Sequence, residues 1–311
     1  AFGEQTGMRA LSFVFSFCLI SGFPEFSQVE SKLSFLKQTC TFTAMLSEVK
    51  TIIPSTFFEP ANLQRLNQEF NEGKPYRHLK IESFLDDAFA NTLYENFPGL
   101  DQMSRKYAGL NENKSEGSGF ENFHPAFREL KAALNTPDFY RALSTITGIE
   151  NLYSVDDALG MGVHQGGDGS YLDIHIDFNI HHQRNIHRRV NLLIFLNKNW
   201  KESYGGALEL WNADVSKLEN KYLPLFNRCI IFETSEISYH GYGKIQVPPG
   251  ETRKSFYGYF YTDLREGAAG YHDTVFKARP EEGMMKKVKT DVKETIKNRA
   301  KQVLKKLGIK F

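Results

Sequence analysis

Cysteine is scarce in this chain: Cys18, Cys40 and Cys229 are the only three among 311 residues. Their spacing fits neither a zinc site nor a disulfide framework, and a reducing, cytoplasmic compartment suits them. An excess of either charge is missing too. With 38 Lys and Arg against 37 Asp and Glu, the chain as a whole is not a binder of nucleic-acid polyanions. No internal repeat is visible. The glycine run at Gly166-Gly167-Asp168-Gly169 is followed by neither a Lys-Ser/Thr pair nor a helix, which excludes a phosphate-binding P-loop. The charge-free run over residues 10–23 falls short of the ~20 apolar residues that span a bilayer. It follows Arg9 in the manner of a signal peptide but lacks a small-x-small cleavage site. Residues 1–44 therefore stand apart, either as a targeting extension through residues 9–23 or as sequence upstream of Met45.

What the chain does have is aromatic and β-branched. Its 26 Phe and 14 Tyr sit largely in short runs with β-branched neighbours, which predicts a β-rich core. Residues 45–280 read as one domain. Its lead-in, 78–148, opens on a strand over 77–85, where polar and apolar side chains alternate. Asp86-Asp87 then caps a helix ending at Pro98-Gly99. The polar stretch 100–119 reads as loop. A helix over 125–134 follows, and another with Thr136 as cap and Pro137 in its first turn ends at Gly148. From about 151 to 262 the pattern becomes short strands between turns, at 151–155, 159–165, 172–176, 189–197, 207–211, 229–233, 238–241 and 255–262. Such spacing predicts a sandwich, jelly roll or barrel rather than βαβ units.

The tail, 281–311, is predicted to be a basic amphipathic helix, with apolar residues at Val288, Val292, Ile296, Ala300, Val303 and Leu307. It holds ten Lys and Arg against four Asp and Glu, so it carries +6 against −5 for the rest. Its stripe is expected to pack on the sheet with the basic face in solvent. The sharper alternative is contact with an anionic surface.

Chemistry concentrates between residues 171 and 255. His175 and Asp177 are two apart, so on a strand they share a face while Ile176 points into the core. His240 lies 63 residues after Asp177, and Arg253 another 13 on. Two imidazoles and a carboxylate form the facial ligand set of non-haem Fe(II), with three positions left open. A downstream arginine suits the far carboxylate of a bidentate organic acid. Arg253 is preferred over Lys254 because guanidinium pairs a carboxylate in bidentate fashion, and only one of two adjacent strand residues can face the pocket.

Residues 159–262 resemble the Fe(II)/2-oxoglutarate-dependent dioxygenases, in particular their prolyl 4-hydroxylase-like branch. The resemblance rests on His175-Ile176-Asp177-Phe178-Asn179, on Arg188-Arg189-Val190-Asn191-Leu192-Leu193-Ile194-Phe195-Leu196-Asn197 and on Tyr204-Gly205-Gly206-Ala207-Leu208-Glu209-Leu210. It continues through Asn227-Arg228-Cys229-Ile230-Ile231-Phe232, Tyr239-His240-Gly241, Arg253-Lys254-Ser255 and Phe260-Tyr261-Thr262. It implies a mostly β fold, a double-stranded β-helix (jelly roll) braced by N-terminal helices and a C-terminal helix. It further implies His175, Asp177 and His240 as iron ligands and Arg253 as the anchor of 2-oxoglutarate. The cosubstrates would be 2-oxoglutarate and O2, with ascorbate as an accessory reductant. The reaction would hydroxylate a C–H bond of a peptidyl-proline, small-molecule or saccharide-type substrate, releasing succinate and CO2. Retention of Asp177 favours hydroxylation, because related halogenases lack this carboxylate. The chain departs from the pattern in one place: the basic residue lies farther from the distal histidine than in prolyl hydroxylases, across a longer loop over 242–252.

Other residues carry two readings each. Asn191 either bonds a cosubstrate carboxylate or satisfies a strand end, and His164 and Gln165 are similar cases. His181, His182 and His187 lie with Arg188 in a stretch that reads as a solvated loop, or else as a lid over the metal. Trp200 and Trp211 are expected at the sheet edge, and Cys229 in the core. Two other functions stay open: a cupin-type jelly-roll metalloenzyme that needs no keto acid, and a non-catalytic binding module on the same fold. The expected partner is a small-molecule or peptide substrate; nucleic acid is not expected.

Overall fold

A computed structural model describes residues 52–307 except 266 and 268; the expectations for residues 1–44 lie outside the described residues. In chain order the strands are β1 (His78–Ile81), β2 (Arg105–Ala108), β3 (Glu112–Gly117), β4 (Met161–Gly166), β5 (Tyr171–Ile176) and β6 (His187–Phe195). They continue as β7 (Leu208–Trp211), β8 (Leu218–Tyr222), β9 (Arg228–Glu233), β10 (His240–Tyr242), β11 (Arg253–Thr262) and β12 (Val275–Phe276). The helices are α1 (Pro60–Glu72), α2 (Asp87–Glu95), α3 (Pro125–Leu134), α4 (Pro137–Thr147) and α5 (Met284–Lys306).

All the strand pairings are antiparallel. The sheet runs β1-β9-β6-β11-β4-β3-β5-β10-β7-β8, with β2 and β12 added beside β3 and β5. It curls until its two halves face each other. Leu208 and Leu210 of β7, in one half, pack with Phe195 of β6 and with Ile230 and Phe232 of β9, in the other. That closure is the predicted jelly roll. The opposite face of β4, β6 and β11 carries Val163, Leu192, Ile194, Phe256 and Phe260, which share one core with Phe70 of α1, Leu93 of α2, Phe127 of α3 and Phe139 of α4. Alternation along each strand thus gives one face to the bracing helices and the other to the interior of the roll.

Local signals set the helix ends. Asp86 accepts the backbone N–H groups of Ala88 and Phe89, and Thr136 accepts that of Phe139; these are side-chain caps. Gly148 closes α4 at φ 68°, where glycine costs least.

Four expectations are corrected. The polar stretch 100–119 is not simply loop: β2 and β3 form a hairpin within it, and its side chains are polar because they line an open cavity rather than a core. Residues 151–155 form no strand and contribute only the bridge of Tyr153 to Tyr261. β8, exposed and polar as Leu-Glu-Asn-Lys-Tyr, gave no alternating signal.

The fourth correction concerns α5, which packs the other way round. Its polar face is the one against the domain. Glu294 accepts the backbone N–H of Phe276 at 3.3 Å, Lys297 donates to the carbonyl of Thr274 at 2.6 Å, and Lys301 pairs with Asp273 at 2.9 Å. The short strand β12 and the segment before it offer backbone groups and a carboxylate that only polar side chains satisfy. The apolar stripe is left outside, with Val292 53% and Ile296 64% exposed.

Candidate active site

Register brings the two histidines together. β5 and β10 are antiparallel neighbours in which His240 stands opposite His175, and the ring centroids are 4.3 Å apart. Asp177 follows the last residue of β5 and swings back between them. Its Oδ1 lies 3.6 Å from Nε2 of His175 and its Oδ2 3.5 Å from Nε2 of His240. One ligand atom from each of the three residues can be chosen so that all lie within 4.8 Å of one another.

The donor chemistry fits a divalent transition metal. Nδ1 of His175 lies 2.9 Å from the carbonyl of Asp173, and Nδ1 of His240 lies 2.9 Å from that of Ser238. A carbonyl only accepts, so each Nδ1 carries the proton and each Nε2 presents its lone pair inward, the arrangement that second-sphere groups impose on metal-binding histidines. Burial, with His175 alongside, pushes the His240 pKa down to about 3, so its ring is the neutral, ligating form at neutral pH. Burial alone would raise the Asp177 carboxyl, but the nearby Arg188 cation outweighs it and holds the group well below the usual carboxylate range.

Behind the carboxylate stands a bracket that sequence reasoning missed. Arg188 Nη2 donates to Asp177 Oδ2 at 3.0 Å, Asn191 Nδ2 donates to the same oxygen at 2.7 Å, and Arg188 Nε donates to Asn191 Oδ1 at 2.9 Å. Arg188 is 2% exposed, and its guanidinium lies 3.5 Å from the Tyr259 ring centroid and 4.7 Å from that of Phe178. The amide of Asn191 thus reaches the site through Asp177. The stretch expected as a solvated loop is largely packed: β6 begins at His187, and His181 is buried with Nε2 3.1 Å from Asp157. His182 borders the cavity beside His175 and Asp177.

Arg253 opens β11 on the face shared by Ser255, Tyr257 and Tyr259. It is buried, donates Nε to the carbonyl of Gly206 at 2.7 Å, and lies 4.1 Å from the centroid of Tyr242 and 5.0 Å from that of Phe195. Tyr242 is two residues beyond His240 on β10, so the guanidinium sits along the same strand face as His240. Among the described residues no carboxylate pairs with Arg253, and burial lowers its pKa to about 10. Lys254 turns the other way, half-buried, with Nζ 3.3 Å from the carbonyl of Thr252.

His164 and Gln165 take different partners. His164 stacks on Tyr257 at 4.3 Å and faces Glu116 at 3.6 Å, while Gln165 donates to Thr252 at 3.0 Å. Trp200 and Trp211 pack in the smaller cores of the β5–β10–β7 half, and Cys229 is fully buried as expected. A cavity of about 390 Å³ opens over His175 and Asp177, with Arg188 and Tyr259 deep in it and Lys114 and Lys297 toward its rim.

Comparison with known proteins adds a family. The 2OG-Fe(II) oxygenase superfamily profile matches residues 161–261. Three solved structures are similar. A Pseudomonas putida prolyl-4-hydroxylase shows 16% identity and a TM-score of 0.46, covering 63% of this chain and 98% of its own. A prolyl hydroxylase in complex with a hypoxia inducible factor oxygen degradation domain peptide fragment, from Trichoplax adhaerens, shows 20% identity and a TM-score of 0.46, covering 65% and 91%. The non-heme alpha-ketoglutarate-dependent epimerase SnoN from nogalamycin biosynthesis shows 12% identity and a TM-score of 0.43, covering 73% and 98%. No curated protein matches by sequence. Residues 161–261, which hold His175, Asp177, His240 and Arg253 together, thus carry a 2OG-Fe(II) oxygenase domain, of an enzyme class that works with Fe(II), 2-oxoglutarate and O2.

Proposed function

We propose that the enzyme belongs to the prolyl 4-hydroxylase-like branch and hydroxylates a C–H bond of a peptidyl-proline, small-molecule or saccharide-type substrate, with release of succinate and CO2. His175, Asp177 and His240 would hold Fe(II), and Arg253 would take the distal carboxylate of 2-oxoglutarate. Bound Fe(II) supplies the activation of O2 that amino-acid side chains cannot perform.

The residues of the chain do the rest. The carbonyls of Asp173 and Ser238 fix the ring orientations and tautomers of the two histidines. Arg188 and Asn191 keep Asp177 ionised and aimed, so no reorganisation is needed when the metal arrives. The burial of Arg253 between Tyr242 and Phe195 strips water from the anchor, which strengthens its pairing with an incoming carboxylate.

Arg253 is the observation that carries this reading against a keto-acid-independent enzyme of cupin type. A buried guanidinium with no described acidic partner is costly unless an anion joins it. The partners we infer are the small-molecule or peptide substrate and, through α5, an anionic surface. Among the described residues no helix is long and apolar enough to cross a membrane.

The test is anaerobic addition of Fe(II) and 2-oxoglutarate, followed by O2. Expected are the weak visible charge-transfer band of the chelate, its loss in His175→Ala, and succinate release that rises with a true substrate among peptides, amino acids and sugar nucleotides. Oxygen uptake without succinate would move the assignment to the cupin type. Folded protein that binds neither metal nor keto acid would leave a binding module.

A further inference from the structure

We propose that α5 docks this protein flat on an anionic lipid surface. The helix is amphipathic with its apolar side outward. At 100° per residue, Val288, Val292, Ile296, Val303 and Leu307 fall on the side opposite to Thr290, Glu294, Lys297 and Lys301. Those polar residues face the domain: Thr290 and Glu294 are buried, and Lys297 and Lys301 hold Thr274 and Asp273. The five outward residues are 53–67% exposed, and Met284 and Met285 extend the stripe at 81% and 72%. The 23-residue helix is on the order of 35 Å long, so the stripe is an extended apolar face, interrupted by Arg299, rather than scattered residues of the kind every protein shows.

Charge selects what covers it. Arg299 lies within the arc of the stripe, Lys289 at its edge and Lys293 beside it; all three are exposed and enter no ion pair among the described residues. A second copy would bring the same cations against them. The apolar run over residues 10–23 contains no acidic residue and would leave them without counter-charge. A lipid layer with anionic headgroups meets both demands: Val, Ile and Met enter the acyl boundary while lysine stems reach up to the phosphates. Because the opposite face is fixed to β12 and the segment before it, the helix would lie parallel to the membrane plane. Lys293 and Lys297 also border the cavity over the metal ligands, so docking would bring the mouth of the active site close to the lipid surface.

The experiment is sedimentation of the 311-residue chain with vesicles of phosphatidylcholine, with and without phosphatidylserine. The expected result is binding that requires phosphatidylserine and weakens as salt is raised. Val292→Asp/Ile296→Asp should abolish it, and Lys289→Glu/Arg299→Glu should lower the partition coefficient by about tenfold or more. Circular dichroism and thermal unfolding should show both variants folded, since all four side chains are exposed. Absence of phosphatidylserine-dependent binding, or binding unchanged in the Asp variant, would overturn the proposal. So would a dimer in analytical ultracentrifugation that the Asp variant dissociates, because that result would assign the stripe to a second copy.

Discussion

Arg188 and Asp177 form a buried ion pair 3.0 Å long, with side chains 2% and 11% exposed, on a carboxylate that also faces His175 and His240. Neither charge has solvent to fall back on, so each depends on the other. Arg188→Met is expected to leave Asp177 buried without its cation, which raises its pKa and favours the protonated form. Metal affinity should fall by about 10- to 100-fold, and unfolding in urea should show a loss of about 3–5 kcal/mol. Titration with Co(II), monitored by its visible spectrum, checks the first; an unchanged affinity would show that Asn191 alone holds the carboxylate.

Arg188 also shows where the sequence stopped being informative. His175, Asp177 and His240 were legible because alternation puts i and i+2 on one face and because antiparallel strands return a distal histidine opposite the first. Arg188 and Asn191 are three apart, a separation that regular alternation places on opposite faces. Both nevertheless bond Asp177. The reason is the register shift between Phe260 and Tyr261, across which Tyr261 pairs with Arg188 and Phe260 with Val190. A bulge of this kind re-aims a side chain without any local composition signal. The β2–β3 hairpin and β8 were missed for a related reason: they are held by backbone pairing and lack the apolar face that marks a strand. The direction in which α5 packs depended on what β12 presents to it, which no periodicity within the helix reveals.

Arg253 and Lys254 are adjacent cations with opposite surroundings, and substitution should separate them. Arg253→Ala is expected to raise the KM for 2-oxoglutarate by on the order of 100-fold, the loss of a charge-assisted pair in a dry site. Arg253→Lys should recover part of this. Lys254→Ala should stay within about twofold, because its ammonium reaches only a backbone carbonyl and the ring of Tyr94. The measurement is succinate release against 2-oxoglutarate concentration, and the reverse ranking would move the anchor to Lys254.

His164 should make stability depend on pH. Burial, with Lys114 adding to it, lowers its pKa to about 4, against an ordinary value near 6.5 in the unfolded chain. Between those values the unfolded chain takes up a proton that the folded one refuses, so stability rises with pH across the window. The contribution is complete above about pH 6.5 and is lost as pH falls toward 4, up to about 3 kcal/mol. His164→Phe, which keeps a ring against Tyr257, should flatten this slope. Urea unfolding at several pH values compares the two proteins, and equal slopes would locate the titration elsewhere, with His187, also lowered to about 4, the next candidate.

Gly206 links the turn before β7 to Arg253, the proposed cosubstrate anchor, and alanine there should test the link. Its φ is 68°, and an added Cβ would stand 2.5 Å from Cγ2 of Ile245 and 3.2 Å from Cδ of Arg253. Backbone strain and the clash both act, so Gly206→Ala should destabilise by about 1–3 kcal/mol. The clash also pushes on the side chain whose Nε bonds the carbonyl of Gly206, so the KM for 2-oxoglutarate should rise along with the loss of stability. Metal affinity should be spared, because His175, Asp177 and His240 lie on or beside β5 and β10. Gly250→Ala is the matched control. Its φ is 88° and nothing lies within 4 Å of its added Cβ, so it carries the backbone cost without the clash. If both variants raise the KM equally, the effect comes from general loosening and the carbonyl of Gly206 has no special part in holding Arg253.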